Sequence, residues 1–132
     1  MAKRIHVAVG VIVQQGKILL AKRASHQHQG GLWEFPGGKV ENGESVQKAL
    51  SRELNEELAI TVLSSQPLIE IVHDYSDKQV KLDVWWVDQF SGVPKGVEGQ
   101  PLEWATRETI TSFEFPKANV EIVEAILNSN VF

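Results

Sequence analysis

Three glutamates of this chain are spaced to share one side of a helix. Glu53 precedes Glu56 by three residues and Glu57 by four, and side chains at these spacings are neighbours on an α-helix. Like charges so placed repel each other by about a few tenths of a kcal/mol per pair, unless a cation lies between them. Carboxylates without Cys or His suit a hard cation such as Mg²⁺, which keeps positions for water and phosphate oxygens. The spacing therefore predicts a magnesium site for phosphate chemistry, although acidic helix faces are more often only solvated.

The residues around these glutamates have a characteristic spacing of their own. Segment 38–60 reads GKVENGESVQKALSRELNEELAI, and it resembles the box of the Nudix hydrolase family at every charged position. The resemblance implies a loop, a helix and a second loop, in which Glu53, Glu56 and Glu57 bind the metal ion. It also implies that Gly37 offers a backbone carbonyl to that ion.

Three further positions of the box are given supporting roles by the same resemblance, and a fourth position departs from it. Arg52 is implied to orient the glutamates, Glu44 to fix the loop against the helix, and Gly38 to serve as a structural glycine. Ala59 departs from the pattern, because the family usually has glycine there to end the helix in a left-handed conformation. We expect Ala59 to adopt this conformation at a cost of about 1 kcal/mol, with no metal ligand lost.

The rest of the chain resembles the MutT members of the family, which hydrolyse 8-oxo-dGTP to 8-oxo-dGMP and pyrophosphate. The resemblance implies that Arg23, Phe35, Asp77 and Asn119 surround the purine and that Glu98 joins the metal site. It extends over nearly the whole chain through segments that keep their order and spacing: AVGVI, KRA, LWEFPGGKVENGE, YSDKQVKL, GVEGQPLEW and FPKAN.

Each of these five residues also has a plain structural interpretation. Phe35 on a short strand is more often core, so that only its backbone groups would read a base. Asp77 is a natural hairpin-turn residue, and Asn119, shortly after Pro116, has a side chain suited to capping a helix. The side chains of Arg23 and Glu98 would be ordinary solvated charges.

The resemblance implies a metal-assisted attack of water on phosphorus without a covalent intermediate. The expected catalytic set is Arg52, Glu53, Glu56 and Glu98, and the general base is one of the three glutamates. Mg²⁺ is the expected ion, with Mn²⁺ as a substitute. Oxidation turns the purine N7 from an acceptor into an N–H donor, so a rigid backbone acceptor would favour the damaged base.

Two other functions are compatible with parts of the sequence. A Nudix pyrophosphohydrolase for CTP or other pyrimidine nucleotides would share the LWEFPGGKVE segment, although Asn119 and Asp77 favour a purine. The second is a MutT-like module that recognises bases without hydrolysis. Such a module would be free to lose its glutamates, and this chain retains Glu53, Glu56 and Glu57.

Hydrophobic periodicity predicts the elements that position these residues. A helix over 45–58 buries an apolar stripe, and a closing helix over 118–128 turns Val120, Val123, Ile126 and Leu127 to the core. Period-two runs predict strands, with a turn at 15–16, a hairpin connection at 75–78, and loops at 23–31, 37–43 and 93–101. The predicted fold is α/β, a mixed sheet between helices. Its strands cover residues 5–13, 17–22, 32–35, 61–63, 68–73, 80–90 and 102–105.

Composition limits the class of protein. The chain has 132 residues, 42% hydrophobic and 23% charged, which fits a single domain over 1–132. A net charge of −4 leaves no broad basic surface for polymeric nucleic acid, so the expected partner is a nucleoside triphosphate. Because cysteine is absent, disulfides, thiolate sites and a cysteine nucleophile are excluded. We expect a cytoplasmic monomer without a membrane segment.

Overall fold

A computed structural model of the chain describes residues 3–23 and 31–130. Most of the predicted loop at 23–31 lies outside the described residues. Within the described residues the chain forms two α-helices, α1 (Val46–Leu58) and α2 (Val120–Leu127), with 3₁₀ turns at Ile110–Ser112 and Lys117–Asn119. The strands are β1 (Lys3–Gln14), β2 (Lys17–Lys22), β3 (Trp33–Glu34), β4 (Gly37–Lys39), β5 (Thr61–Asp74), β6 (Lys78–Ser91) and β7 (Leu102–Ala105).

The strands form one mixed sheet with β1 near its middle. The strand order is β3-β2-β1-β6-β5, while β4 also pairs with β1 and β7 with β2. Strands β1 and β6 run parallel from Lys3↔Lys78 to Ile12↔Val87, whereas the other pairs are antiparallel. This arrangement confirms the predicted mixed sheet.

Both faces of β1 are buried over residues 8–12. Val9 and Val11 point to the core that α2 covers, and Ala8 and Ile12 point to the core that α1 covers. This division follows from the alternation of side chains along a strand. The sheet therefore lies between the two helices. Helix α1 covers one face of the sheet and α2 covers the other.

Helix α1 begins and ends as the Nudix-box segment predicts. The Ser45 side chain caps its first turn by accepting a hydrogen bond from the Lys48 N–H, a common way to satisfy an otherwise unpaired donor. Ala59 ends the helix in the left-handed conformation, at φ 59° and ψ 34°, and its N–H donates to the Asn55 carbonyl. The buried stripe consists of Ala49, Leu50, Leu54 and Leu58.

Two parts of the strand prediction were wrong. Gly37–Lys39 was predicted as part of a loop but forms β4, in register with Val7, Ala8 and Val9 of β1. A Cβ on Gly37 would lie 2.0 Å from the Ala8 carbonyl oxygen, so the close pairing depends on glycine. The strands predicted at 61–63 and 68–73 are one continuous strand, β5. Its pairing with β6 shifts register at the intervening polar residues and at Pro67, so the strand continues through bulges.

The last helix also differs from its prediction. Its α-helical part begins at Val120, after a 3₁₀ turn, and Val120 is 45% exposed rather than in the core. The buried stripe runs through Ile122, Val123 and Ile126. Val120 precedes Ile122 by two residues, a rotation of about 200° around the helix. Its side chain therefore points away from the sheet.

Candidate active site

A cavity of about 490 Å³ opens where the ends of β2, β3, β4 and α1 meet the loop that follows β6. Five charged side chains from separate parts of the chain line it: Lys22, Arg23, Glu34, Glu57 and Glu98. Gly37 lies in the same wall. Of the residues that the sequence suggested, the fold thus brings Arg23, Gly37, Glu57 and Glu98 to one place.

Glu57 is the most strongly perturbed carboxyl group of this cavity. Burial is the main cause that raises its pKa to about 8, and the negative charges of Glu53, Glu34 and Glu98 act in the same direction, against a lowering hydrogen bond from the Gly37 N–H. That bond spans 3.3 Å. A carboxyl group in a pocket with several other carboxylates is a site of concentrated negative potential. Such a potential favours a cation.

Glu53 has its carboxylate seated against Gly38. A Cβ at Gly38 would lie 2.3 Å from both the Cδ and the Oε2 atom of Glu53. Glycine therefore gives the carboxylate room beside β4, on the α1 face of the sheet. The Arg52 guanidinium holds the same carboxylate through Nη1, at 2.9 Å from Oε1.

Arg52 connects the helix to the loop that precedes it. Its Nε and Nη2 atoms donate to the two oxygens of Glu44, at 2.7 and 2.9 Å, and Nη2 also donates to the Lys39 carbonyl at 3.1 Å. Nη1 reaches Glu56 at 3.5 Å. A guanidinium used in this forked manner fixes both position and angle. Arg52 is therefore paired with Glu44 of the preceding loop and also contacts two of the three box glutamates.

Strong hydrogen bonding keeps Glu44 ionised. The bond from Arg52 and a second one from the Glu41 N–H, at 2.9 Å, lower the pKa of Glu44 to about 2. The carboxylate therefore remains charged throughout the neutral range. A charge-assisted contact therefore holds loop 40–45 to α1, in addition to the packing of Val40 against the apolar cluster beneath that helix.

The acidic residues fit a hard divalent cation by their chemistry. Glu57 and Glu98 line the cavity together with Gly37, and all of these groups present oxygen, the ligand type of Mg²⁺ and Mn²⁺. Across residues 3–23 and 31–130, no three His, Asp or Glu side chains are already gathered as a metal-binding group. Instead, the carboxylates of Glu53 and Glu56 accept hydrogen bonds from Arg52. The carboxylate of Glu57 accepts one from the Gly37 N–H.

Glu34 is a cavity residue that the sequence interpretation missed. Its carboxylate accepts a hydrogen bond from Arg23 at 2.6 Å, because β2 and β3 pair in the register Ala21↔Glu34 and Lys22↔Trp33. Burial raises its pKa, and Arg23 opposes that rise. The available signal was one acidic residue within the apolar segment Leu32–Phe35.

The other suggested base-binding residues lie outside this cavity lining. Phe35 is 4% exposed and stacks on Phe115 with centroids 5.4 Å apart, so its side chain is core. Asp77 is exposed in the β5–β6 connection, where its carbonyl accepts from the Lys3 N–H at 3.4 Å. Asn119 is half-buried before α2, and its side chain makes no capping hydrogen bond.

These features agree with the comparison of this chain with known protein families. Residues 8–125 match the NUDIX domain family. The chain therefore belongs to the Nudix family of hydrolases, which act on nucleotide substrates and use divalent metal ions. No helix within the described residues has the length and hydropathy to cross a membrane.

Relatives of two named activities are similar to this chain. It is 35% identical to the 8-oxo-dGTP diphosphatase of Escherichia coli, over 92% of this chain and 95% of that protein. It is 38% identical to the CTP pyrophosphohydrolase of the same organism, over 95% and 93% respectively. The 8-oxo-dGTP diphosphatase of Haemophilus influenzae is 35% identical over 96% of this chain and 93% of its own length.

Solved structures agree with the fold. The solution structure of the E. coli ORF135 protein has a TM-score of 0.86 and 37% identity, covering 96% of this chain and 90% of that one. A MutT structure from work on Aliivibrio salmonicida and Vibrio cholerae has a TM-score of 0.82 and 37% identity, covering 95% and 97%. The Nudix fold of this chain is thereby shown.

Proposed function

We propose that this protein is a nucleoside triphosphate pyrophosphohydrolase that converts 8-oxo-dGTP to 8-oxo-dGMP and pyrophosphate. Such an activity would remove oxidised guanine nucleotides before DNA replication and so prevent mutation. The observation that carries the proposal is the cavity that Gly37, Glu57 and Glu98 line together. The carboxylate of Glu53 lies against Gly38, the residue that follows Gly37. Similarity to 8-oxo-dGTP diphosphatases over more than nine-tenths of the chain supports this substrate.

Mg²⁺ is the proposed ion, with Mn²⁺ as a substitute, and the proposed ligands are five. They are the carboxylates of Glu53, Glu56, Glu57 and Glu98 and the backbone carbonyl of Gly37. When bound, such an ion lowers the pKa of water and offsets charge that develops on the phosphates. We further propose a monomer that acts in the cytoplasm as a single domain over 1–132.

The chain's own residues would position the reaction around that centre. Arg52 holds the carboxylates of Glu53 and Glu56 from one side, so that each presents a defined oxygen to the reacting groups. Lys22 and Arg23 add positive charge to the cavity wall, where phosphate oxygens would gather. A proton from the attacking water would pass to Glu53, Glu56 or Glu98.

Base recognition is assigned to groups at the α2 side of the sheet. Asn119 offers an amide donor and an acceptor, which together match two positions on a purine edge. The lack of a capping hydrogen bond at Asn119 supports this role over a purely structural one. Phe35 would contribute only backbone groups, because its ring is stacked in the core. For Arg23 and Asp77, contact with the base stays a prediction.

Hydrolysis of CTP or another pyrimidine nucleotide is the second candidate. The observation that favours it is the 38% identity to a CTP pyrophosphohydrolase over 95% of this chain. The two candidates share the phosphate chemistry, and they differ only in the base that the α2 side accepts. A direct comparison of substrates therefore separates them.

The decisive experiment measures pyrophosphate release from 8-oxo-dGTP, dGTP, CTP and 5-methyl-dCTP in the presence of Mg²⁺, with EDTA as the blank. We expect kcat/KM for 8-oxo-dGTP to exceed that for dGTP by about 10² or more, because an unmodified purine leaves a buried acceptor unpaired. The highest kcat/KM on a pyrimidine nucleotide would establish the second candidate. No EDTA-sensitive release from any of the four would instead indicate a base-recognising module.

The metal assignment is tested by Glu53→Gln, which keeps the shape of the side chain and removes its charge. We expect kcat to fall by about 10² or more, the usual scale for one electrostatic element of a site. Glu124→Gln on the exposed side of α2 is the matched control and should keep wild-type turnover. Unchanged kcat in a folded Glu53→Gln protein would contradict the assignment.

A further inference from the structure

The loop that carries Glu98 is attached to the end of helix α1. The Lys95 N–H donates to the Leu58 carbonyl at 2.9 Å, and the Val97 N–H donates to the Glu57 carbonyl at 3.1 Å. The last carbonyls of a helix have no partner within the helix, so these bonds satisfy two of them. The loop is therefore joined to the segment of α1 that holds Glu57.

One side chain, that of Gln100, makes a second and more specific connection. Its Nε2 donates to the Glu57 carbonyl at 3.1 Å, and its Oε1 accepts from the Glu98 N–H at 2.9 Å. Gln100 is half-buried in the cavity wall. Because the amide is planar and rigid, these two bonds set the backbone of Glu98 at a defined distance from that of Glu57.

The shape of the loop brings Gln100 into this position. The Gly99 N–H donates to the Gly96 carbonyl at 2.9 Å and closes a turn with Glu98 at its tip. A Cβ at Gly96 would lie 2.1 Å from the Gln100 carbonyl oxygen, so glycine permits the chain to fold back this tightly. Beyond the turn, the Pro101 carbonyl accepts from the Lys22 N–H at 3.0 Å, which anchors the loop to β2.

We propose that Gln100 is a positioning residue, whose amide fixes the backbone of Glu98 relative to that of Glu57, so that both carboxylates would reach one divalent cation. Glu57 and Glu98 line the same cavity, and two carboxylates that approach each other repel. A rigid link between their backbones keeps Glu98 near this repulsive partner before the ion binds. This inference rests on the proposed metal-dependent hydrolysis.

The test uses Gln100→Met, which keeps the length of the side chain and loses both hydrogen bonds. Gln100→Ala removes the same bonds by truncation and serves as the second variant, and Gln66→Ala, exposed on β5, is the control. We expect both Gln100 variants to lose about tenfold in kcat/KM and in Mn²⁺ affinity, the scale for groups that orient metal ligands. Mn²⁺ binding is read by electron paramagnetic resonance of the free ion, with melting curves to confirm folding.

A double-mutant cycle with Glu98→Gln shows whether Gln100 acts through Glu98. In the Glu98→Gln background we expect Gln100→Met to change kcat/KM by less than about twofold, because the group that it positions is already impaired. A full tenfold loss in both backgrounds, or wild-type Mn²⁺ affinity in both Gln100 variants, would overturn the proposal. If wild-type protein hydrolysed no nucleotide, the proposed function would fail, and the Mn²⁺ affinities would still decide the role of Gln100.

Discussion

A glycine determines where the carboxylate of Glu53, a proposed metal ligand, can lie. Gly38 faces α1 from β4, and the space that a Cβ would fill is occupied by the carboxylate of Glu53. Arg52 approaches the same carboxylate at 2.9 Å. The position of the Glu53 carboxylate therefore depends on the space at Gly38 and on the hydrogen bond from the Arg52 guanidinium. Substitution of Gly38 or of Arg52 changes one of these without removing the other.

Gly38→Ala should impair catalysis while leaving the fold intact. The added methyl group would meet the end of a flexible side chain rather than backbone, so Glu53 can move away at little cost in stability. We expect kcat/KM to fall by about tenfold or more, since displacing a catalytic group by an ångström has effects of this size. The melting temperature should change little, and a large drop in it with unchanged kcat/KM would contradict this account of Gly38.

Among the elements, α1 depends on charged contacts with loop 40–45. Glu44 accepts two hydrogen bonds from Arg52 and one from the Glu41 N–H. These bonds lower its pKa from an ordinary value of 4.5 to about 2. A group whose pKa is lower in the folded state stabilises the fold at neutral pH, and this contribution is lost as the pH falls below 4.5 toward 2.

Glu44→Gln should therefore lower the melting temperature at about pH 7 more than at about pH 3. The glutamine keeps the shape of the side chain but not its charge, so the comparison isolates the ionised contact with Arg52. Glu108→Gln, exposed near the end of the chain, controls for the general effect of removing a carboxylate. An equal decrease at both pH values would show that the charge of Glu44 does not stabilise the loop.

The other end of α1 contains a residue in an unfavourable conformation. Ala59 has φ 59°, and Gln15 in the β1–β2 turn, with φ 52°, is the second non-glycine residue with positive φ within the described ranges. Glycine adopts this region without steric strain but loosens the unfolded chain. We expect Ala59→Gly to raise stability by at most about 1 kcal/mol or to leave it unchanged, with normal kinetics.

Gln15→Gly provides a matched comparison, because its turn lies away from the cavity lining. It should show the same small gain or no change in a melting experiment. A clear decrease in melting temperature for Ala59→Gly alone would mean that contacts of the alanine methyl group outweigh its backbone strain.

Across the whole molecule, local pattern predicted most elements but not the long-range contacts of the site. The helix at 45–58 could be predicted because its apolar residues recur at helical spacing and a serine stands where the helix begins. The continuity of β5 could not be predicted, because Ser64, Ser65 and Pro67 interrupt the alternation, and the strand continues across them only through its pairing with β6.

The same limit applies to residues of the candidate site. The Nudix box pointed to Glu53, Glu56 and Glu57 through local spacing alone. Glu34 becomes a cavity residue only through the pairing of β2 with β3, and Gln100 meets Glu57 across a separation of 43 residues. Neither contact leaves a periodic signal, so both required the folded chain.

In the proposed function, phosphate chemistry and base recognition lie on opposite faces of the sheet, so that each can be tested separately. Glu53 and its helix lie on the α1 face, whereas Asn119 directly precedes α2 on the other. Substitutions on the α1 face should therefore affect all nucleotides alike, because every substrate carries the same phosphates. Substitutions at the start of α2 should change the preference among bases.

Asn119→Ala tests this division. If the amide pairs with the oxidised purine, kcat/KM for 8-oxo-dGTP should fall by about ten- to a hundredfold, a loss of roughly 1 to 3 kcal/mol, while dGTP loses much less. The reason is that dGTP never forms the full set of hydrogen bonds. Stability should hardly change, because the Asn119 side chain makes no capping bond in the fold, whereas a lost cap would cost about 1 kcal/mol. Asn128→Ala at the opposite end of α2 is the control, and an unchanged ratio of kcat/KM between the two nucleotides would remove Asn119 from base recognition.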